Sequence, residues 1–297
     1  MSAAIRKDLY VSRLSTAGSS IRREEPVVYA STPPPAELPA EALEQYARDG
    51  FLVVPELLDA VQIEQLNRHI DELLAGVEPD QERAIREPGS LLVRSLFQVH
   101  KTSAPLRALS RNPRLLGIVR YLLGDDVYMH QSRVNLKPAF HGREFFWHSD
   151  FETWHSEDGM PAMRALSVSI ALTDNSNQNG ALMVMPGSHL DFYPCAGQTP
   201  PNHYRDSLRS QNYGVPDEET LRKIADRCGI MTPEVPVGSA LVFDCNLMHG
   251  SNSNITPYAR RNVFLVYNSI SNVPGEPYAA AQKRPDFVAS REDLEIL

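Results

Sequence analysis

The run Phe145-Phe146-Trp147-His148-Ser149-Asp150 sets an imidazole and a carboxylate two positions apart. In an extended strand such residues emerge on one face, so His148 and Asp150 are expected to enter the same cavity. A distant imidazole, His249 in Asp244-Cys-Asn-Leu-Met-His249-Gly-Ser251, can complete a triad. Two imidazoles and one carboxylate on one side of an ion leave the opposite positions open for a co-substrate and dioxygen, the ligand set of non-haem Fe(II) oxygenases. A His-x-Asp pair alone is common and can equally be a hydrogen-bonded loop. Arg260 adds weight, because a guanidinium grips a carboxylate through two parallel hydrogen bonds, as a dicarboxylate co-substrate requires. The segment from Arg260 to Tyr267 reads as a strand with Arg260 and Phe264 in phase, a surface charge being the other reading of Arg260.

These residues need a scaffold, and 297 residues with 42% hydrophobic content suffice for one sizeable core. We expect a polar arm over 1–40, carrying little of the function, and one domain over 41–297 with an irregular insertion at about 191–230. The formal charge of −8 is dispersed, which argues against binding nucleic acid and for small-molecule substrates. No apolar leader or membrane-length run is seen, so no membrane association is expected and the cytoplasm is the default compartment. Cys195, Cys228 and Cys245 form no Cys-x-x-Cys pair and suit a reducing compartment, and a zinc site using Cys245 has little support.

Helical spacing predicts helices over 37–49, from Asp59 through Leu74, over 105–123 and over 217–228. His69 and His100 read as structural, and His155, His189 and His203 as turn or loop residues. Strands are predicted over 51–54, 127–137, 166–172, 181–185, 234–237 and 240–244. One face of 127–137 carries Gln131, Arg133, Asn135 and Lys137; four polar groups in phase either face water or line a polar pocket. Short strands with turn signals at 175–180 and 186–189 suggest a mainly β barrel or jelly roll with helices outside.

With His148-Ser-Asp150, Asn179-Gly-Ala-Leu-Met-Val-Met-Pro-Gly-Ser-His189, His249-Gly-Ser251 and Arg260 in hand, the chain resembles the phytanoyl-CoA dioxygenase-like branch of the Fe(II)/2-oxoglutarate oxygenases over about Tyr46 to Tyr267. Within it, Phe146-Trp-His-Ser-Asp-Phe-Glu-Thr-Trp-His-Ser-Glu-Asp-Gly-Met-Pro161 resembles the signature of the ectoine hydroxylases, and Asp8-Leu-Tyr-Val-Ser-Arg13 is similar to their opening. Related halogenases have a small residue at the carboxylate position, whereas Asp150 is intact.

The resemblance implies a double-stranded β-helix (cupin-like), iron held by His148, Asp150 and His249, and a homodimer. It places Arg260, with Ser251 and Asn135, around 2-oxoglutarate. It implies hydroxylation of ectoine to 5-hydroxyectoine, a compatible solute for osmotic and heat stress, with release of succinate and CO2. A delocalised amidinium is drawn to aromatic faces, so Trp154, Phe243 and Phe264 are candidate walls, core packing being the alternative for the two phenylalanines. Gln131 and Thr153 are candidates for the substrate's polar edges and Arg284 for its carboxylate. Glu152, Glu157 and Asp158 read as loop charges or lid contacts, and 151–161 as a lid that excludes water. The competing readings are the same chemistry on another small zwitterion, such as a cyclic amino acid, and a metal-free barrel that binds a solute.

Overall fold

The computed structural model describes residues 8–297; the first seven residues of the expected arm lie outside the described residues. Among the described residues twelve strands occur in order: β1 (Ile21–Arg22), β2 (Phe51–Val54), β3 (Ala84–Arg86), β4 (Val93–Phe97), β5 (Val127–Lys137), β6 (Phe145–His148), β7 (Ala165–Ala171), β8 (Leu182–Val184), β9 (Asp191–Phe192), β10 (Ala240–Asp244), β11 (His249–Ser251) and β12 (Arg260–Ser269). Seven form one antiparallel sheet in the order β2-β10-β7-β12-β5-β4-β3, and β6-β11-β8 form a second. The β-rich architecture agrees with the expected jelly roll.

Turn and cap chemistry explains the boundaries. The helix Ala40–Asp49 stops at Gly50, whose left-handed φ of 83° suits a residue without Cβ. Asp59 opens Ala60–Ala75 with a capping box, accepting from the Gln62 backbone while the Gln62 side chain reaches back. The single helix expected over 105–123 is two, Ala104–Ser110 and Pro113–Leu123, because Asn112 caps the second and Pro113 cannot continue the first. Their apolar stripes join the helix Ala60–Ala75 on the outer face of the large sheet. Leu66, Ile70, Leu106, Leu115 and Ile118 pack there against Val134, Val168 and Leu265. His69 and His100 are structural as expected, bonded to Ser103 and Ser132.

Three regions differ from the expectation in detail. No strand forms over 234–237, where Pro236 lacks a ladder donor; the second neighbour of Val184, beside His249, is Met231 through an isolated bridge. The insertion holds Glu218–Cys228, capped by Asp217, and also Tyr204–Ser210, whose polar sequence gave no helical signal. The arm does more than lie on the surface: β1 pairs with β9, and Tyr10, Arg13 and Arg23 are buried.

Candidate metal centre

His148 closes β6 and His249 opens β11, and the two are register partners in the antiparallel ladder. Each Nδ1 faces a main-chain oxygen, of Phe146 at 2.8 Å and of Leu247 at 2.9 Å. A carbonyl only accepts, so both Nδ1 atoms carry the proton and both Nε2 lone pairs are bare. Asp150 Oδ1 lies 3.6 Å from His148 Nε2 and 3.9 Å from His249 Nε2. Two donors sharing an ion through bonds of about 2.1 Å lie at most about 4.2 Å apart, so each of these pairs can hold one metal. Together they form a cluster with all ligand atoms within 4.8 Å.

The convergence does not come from strand alternation. β6 ends at His148, Ser149 caps a helical turn by accepting from the Glu152 backbone at 3.3 Å, and Asp150 is that turn's first residue. The other carboxylate oxygen, Oδ2, accepts from Ser167 Oγ at 2.8 Å, which turns Oδ1 toward the imidazoles. Burial opposes ionisation of Asp150, yet the two histidines and Arg133 overcome it and hold its pKa below the ordinary carboxylate range. Burial, with His148 opposite, lowers His249 to about 4 and keeps it a neutral donor.

The triad opens into a pocket whose lining includes the whole polar face of β5. Those four residues therefore line a pocket, which decides between the two readings of that face. At one end, Arg260 Nη1 donates to Gly180 O at 2.5 Å and Nη2 to Asn135 Oδ1 at 2.8 Å, while its buried Nε has no partner among the described residues. Gly180 (φ 75°) is required there, because a Cβ would lie 2.5 Å from both Asn252 O and the Lys137 Cδ. Lys137, 2% exposed, donates to Ser251 Oγ at 2.7 Å and Asn252 O at 2.6 Å. Burial and the nearby Arg260 and Arg94 lower Lys137 to about 6. Arg260 and Arg133 are each lowered to about 10, chiefly by burial. The guanidiniums of Arg94, Arg133 and Arg260, gathered in one wall with Asp150 as the lining carboxylate, make a strong attractor for a dianion.

Toward the Gln131 end of β5, Gln131 accepts from Arg133 and donates to Val288 O at 2.7 Å. The Arg133 guanidinium lies 4.6 Å from the centroid of Phe264. Thr153, Trp154, Phe264 and Arg284 line the wall. Phe243 does not: its ring packs 5.0 Å from that of His249, behind the metal ligand, so its place is support. Arg284 reaches the wall with its charge already shared, Nε lying 2.9 Å from Asp158 Oδ1. The segment 151–161, expected as a candidate lid, is buried up to Met160 and begins with the helical turn Asp150–Thr153 followed by a π-helical turn Trp154–Asp158. Glu152, Glu157 and Asp158 are therefore buried and paired, not loop charges. His155, set between Asp8 and Met160 O, and His203, 2.6 Å from Glu157, are likewise buried. Lys137 and Arg133 were legible as pocket face without an assigned role, whereas Leu208 and Gln211, also in the wall, carried no signal in the polar insertion.

The model of the family described as phytanoyl-CoA dioxygenase (PhyH) matches residues 46–262. The chain belongs to the phytanoyl-CoA dioxygenase family. It is 49% identical to the ectoine dioxygenase of Streptomyces anulatus, covering 98% of both chains. With the ectoine dioxygenase of Sphingopyxis alaskensis it shares 47% identity over 96% of this chain and 94% of the relative. Among solved structures, EctD from S. alaskensis with bound Fe superposes with a TM-score of 0.87 at 43% identity, covering 98% of this chain and 97% of that one. EctD from the same source with 2-oxoglutarate and 5-hydroxyectoine gives 0.86 at 44%, covering 96% and 95%. The fold is thus the double-stranded β-helix that the family resemblance implied.

Proposed function

We propose that this protein hydroxylates ectoine to 5-hydroxyectoine, consuming 2-oxoglutarate and dioxygen at an Fe(II) centre and releasing succinate and CO2. The observation that carries this reading is the triad of bare Nε2 atoms and one ionised carboxylate opening into a cation-rich pocket. Near-full-length similarity to proteins named ectoine dioxygenases supports the choice of substrate.

His148, Asp150 and His249 would hold the ion. When bound, Fe(II) activates dioxygen, so that one oxygen atom enters a substrate C–H bond and the other enters succinate as 2-oxoglutarate loses CO2. The chain's own residues bind, orient and keep water out. Arg260, with Ser251, Asn135 and Lys137, would grip 2-oxoglutarate, the unpartnered Arg260 Nε being an unused donor. Ectoine is a cyclic amidine bearing a carboxylate. Trp154 and Phe264 would face its delocalised cation, and Gln131 and Thr153 its polar edges. Arg284 would meet its carboxylate through Nη1, which otherwise lies 3.4 Å from Glu157 Oε2.

Purified protein given Fe(II), 2-oxoglutarate and ectoine should release succinate in step with hydroxylated product. Succinate without that product would reject ectoine, and competition with other small zwitterions would find the substrate. We further propose that the arm and 41–297 act as one catalytic unit in a cytoplasmic homodimer. Three free cysteines fit a reducing compartment, no helix among the described residues is long and apolar enough to cross a membrane, and sedimentation tests the dimer.

A further inference from the structure

The turn that presents Thr153 and Trp154 to the pocket also carries three carboxylates, Glu152, Glu157 and Asp158, each 1% exposed or less. A carboxylate taken out of water is costly unless a cation meets it, so each needs a partner from elsewhere in the chain. Asp158 has Arg284 and Arg291. Glu152 is met by the N-terminal arm. Arg13 Nε lies 2.7 Å from Glu152 Oε1 and Nη2 lies 2.8 Å from Oε2, a two-pronged pair, and Nη2 also lies 2.9 Å from Glu157 Oε1. Ser12 Oγ donates to the same Oε1 at 2.6 Å.

Arg13 is itself held in place. Its backbone N–H donates to Cys195 O at 2.8 Å, Ser12 Oγ accepts from the Cys195 backbone at 2.9 Å, and its φ of 61° is one a non-glycine residue seldom adopts. Opposite the pair sits Gly214, where a Cβ would lie 2.3 Å from Glu152 Oε2 and 2.5 Å from Arg13 Nη2. The backbone therefore closes over the ion pair at a position where a side chain would push it apart. Thr153, next along the turn, accepts from Gln211 Nε2 at 3.3 Å, which ties the same wall to the insertion.

We propose that Arg13 is a positioning residue for the substrate: by neutralising Glu152 and Glu157 it fixes the turn that sets Thr153 and Trp154 against ectoine. The inference rests on the ectoine reading above. Arg13 bonds to Glu152, Glu157, Thr199 and Cys195, and none of these lies among the residues around Arg260. Its loss therefore acts on substrate and spares 2-oxoglutarate. Leaving a buried carboxylate unmatched displaces the turn, and displacements near 1 Å cost up to about a hundredfold in positioning.

The test uses the full-length protein loaded with Fe(II), as wild type, Arg13→Gln, Arg13→Lys and the pair Arg13→Gln with Glu152→Gln. Ectoine Kd by anaerobic calorimetry, KM for ectoine and for 2-oxoglutarate, iron content and melting curves are measured on each. Arg13→Gln is expected to raise ectoine Kd and KM about tenfold or more, with KM for 2-oxoglutarate within about twofold and iron content unchanged. Succinate should then exceed hydroxylated product. Arg13→Lys should rescue part of the loss, and the double variant most of it, because position 152 is then uncharged while Glu157 keeps His203 and Arg284. Unshifted ectoine affinity, equal weakening of both ligands, or a double variant no better than the single one overturns the role of Arg13. If Arg13→Gln gives no cooperative melt, Gly214→Ala, which parts the pair without removing a charge, must show the same split between ligands. Wild-type protein that turns over no ectoine rejects the substrate reading instead, so the two failures are distinct.

Discussion

His148 and His249 face each other across one antiparallel pair, with ring centroids 4.2 Å apart. The polymer brings two imidazoles from distant segments together by sheet register, and the helical turn opened by Ser149 adds the carboxylate. Register is strongly specified wherever one face of a strand is buried, so this spacing is as firm as the sheet that sets it.

Removing one of these donors should remove the ion. His249→Ala replaces a buried ring by a cavity beside Phe243, at a stability cost of about 2–5 kcal/mol by analogy with other large-to-small core changes. Activity should fall to background even where the variant melts cooperatively. Detectable turnover in an iron-depleted His249→Ala sample would show that the triad is not the centre.

Arg260→Gln should weaken 2-oxoglutarate far more than ectoine. Removing one partner of a shielded charged pair costs roughly 2–5 kcal/mol, which is thirty- to several-thousand-fold in affinity. Equal loss of both ligands would make Arg260 a structural residue. Calorimetry on each ligand separately reads the difference.

Lys137 offers a proton count. Burial, with Arg260 and Arg94 nearby, lowers it to about 6, so its amine is largely neutral at about pH 7.5. A dianion beside it favours the ammonium form, and 2-oxoglutarate binding should take up protons near that pH. Titration in buffers of different ionisation enthalpy measures the uptake, which should vanish in Lys137→Met. Wild-type binding without proton uptake would place the co-substrate elsewhere.

Glu157 predicts an acid limit. Burial raises its pKa, but Arg284, His203 and Arg13 more than offset this and hold it at about 2. A carboxyl whose folded pKa lies below its unfolded value near 4.5 stabilises the fold above that value, and the contribution fades as pH falls toward about 2. Melting temperature should therefore drop across this window more steeply in wild type than in Glu157→Gln. Parallel slopes would mean that the pairing is no stronger folded than unfolded.

How much of this was legible depends on how local each cause is. The polar face of β5 follows from alternation alone, and so does the phase of Arg260 with Phe264, both of which line the pocket. Asp150 reached the right place for another reason: a serine cap converts strand into helix between the two ligands, a switch that a two-residue motif does not reveal. Phe243 and Phe264 have the same composition signal, and only the packing of β10 against His249 separates support from wall. Glu152 and Arg13 were unreadable as a pair because nothing local in either segment announces a partner so far along the chain. Their burial follows from backbone bonds of Arg13 to Cys195 and of Gly197 to Leu14, which hold the arm beside the pair.

Anaerobic titration of the iron-free protein with Fe(II), followed by X-ray absorption at the iron edge, tests the centre most directly. The expected result is one ion per chain, with two imidazoles in its coordination sphere and a marked change on adding 2-oxoglutarate. Substoichiometric binding, or full binding retained after His148→Ala together with His249→Ala, would contradict it.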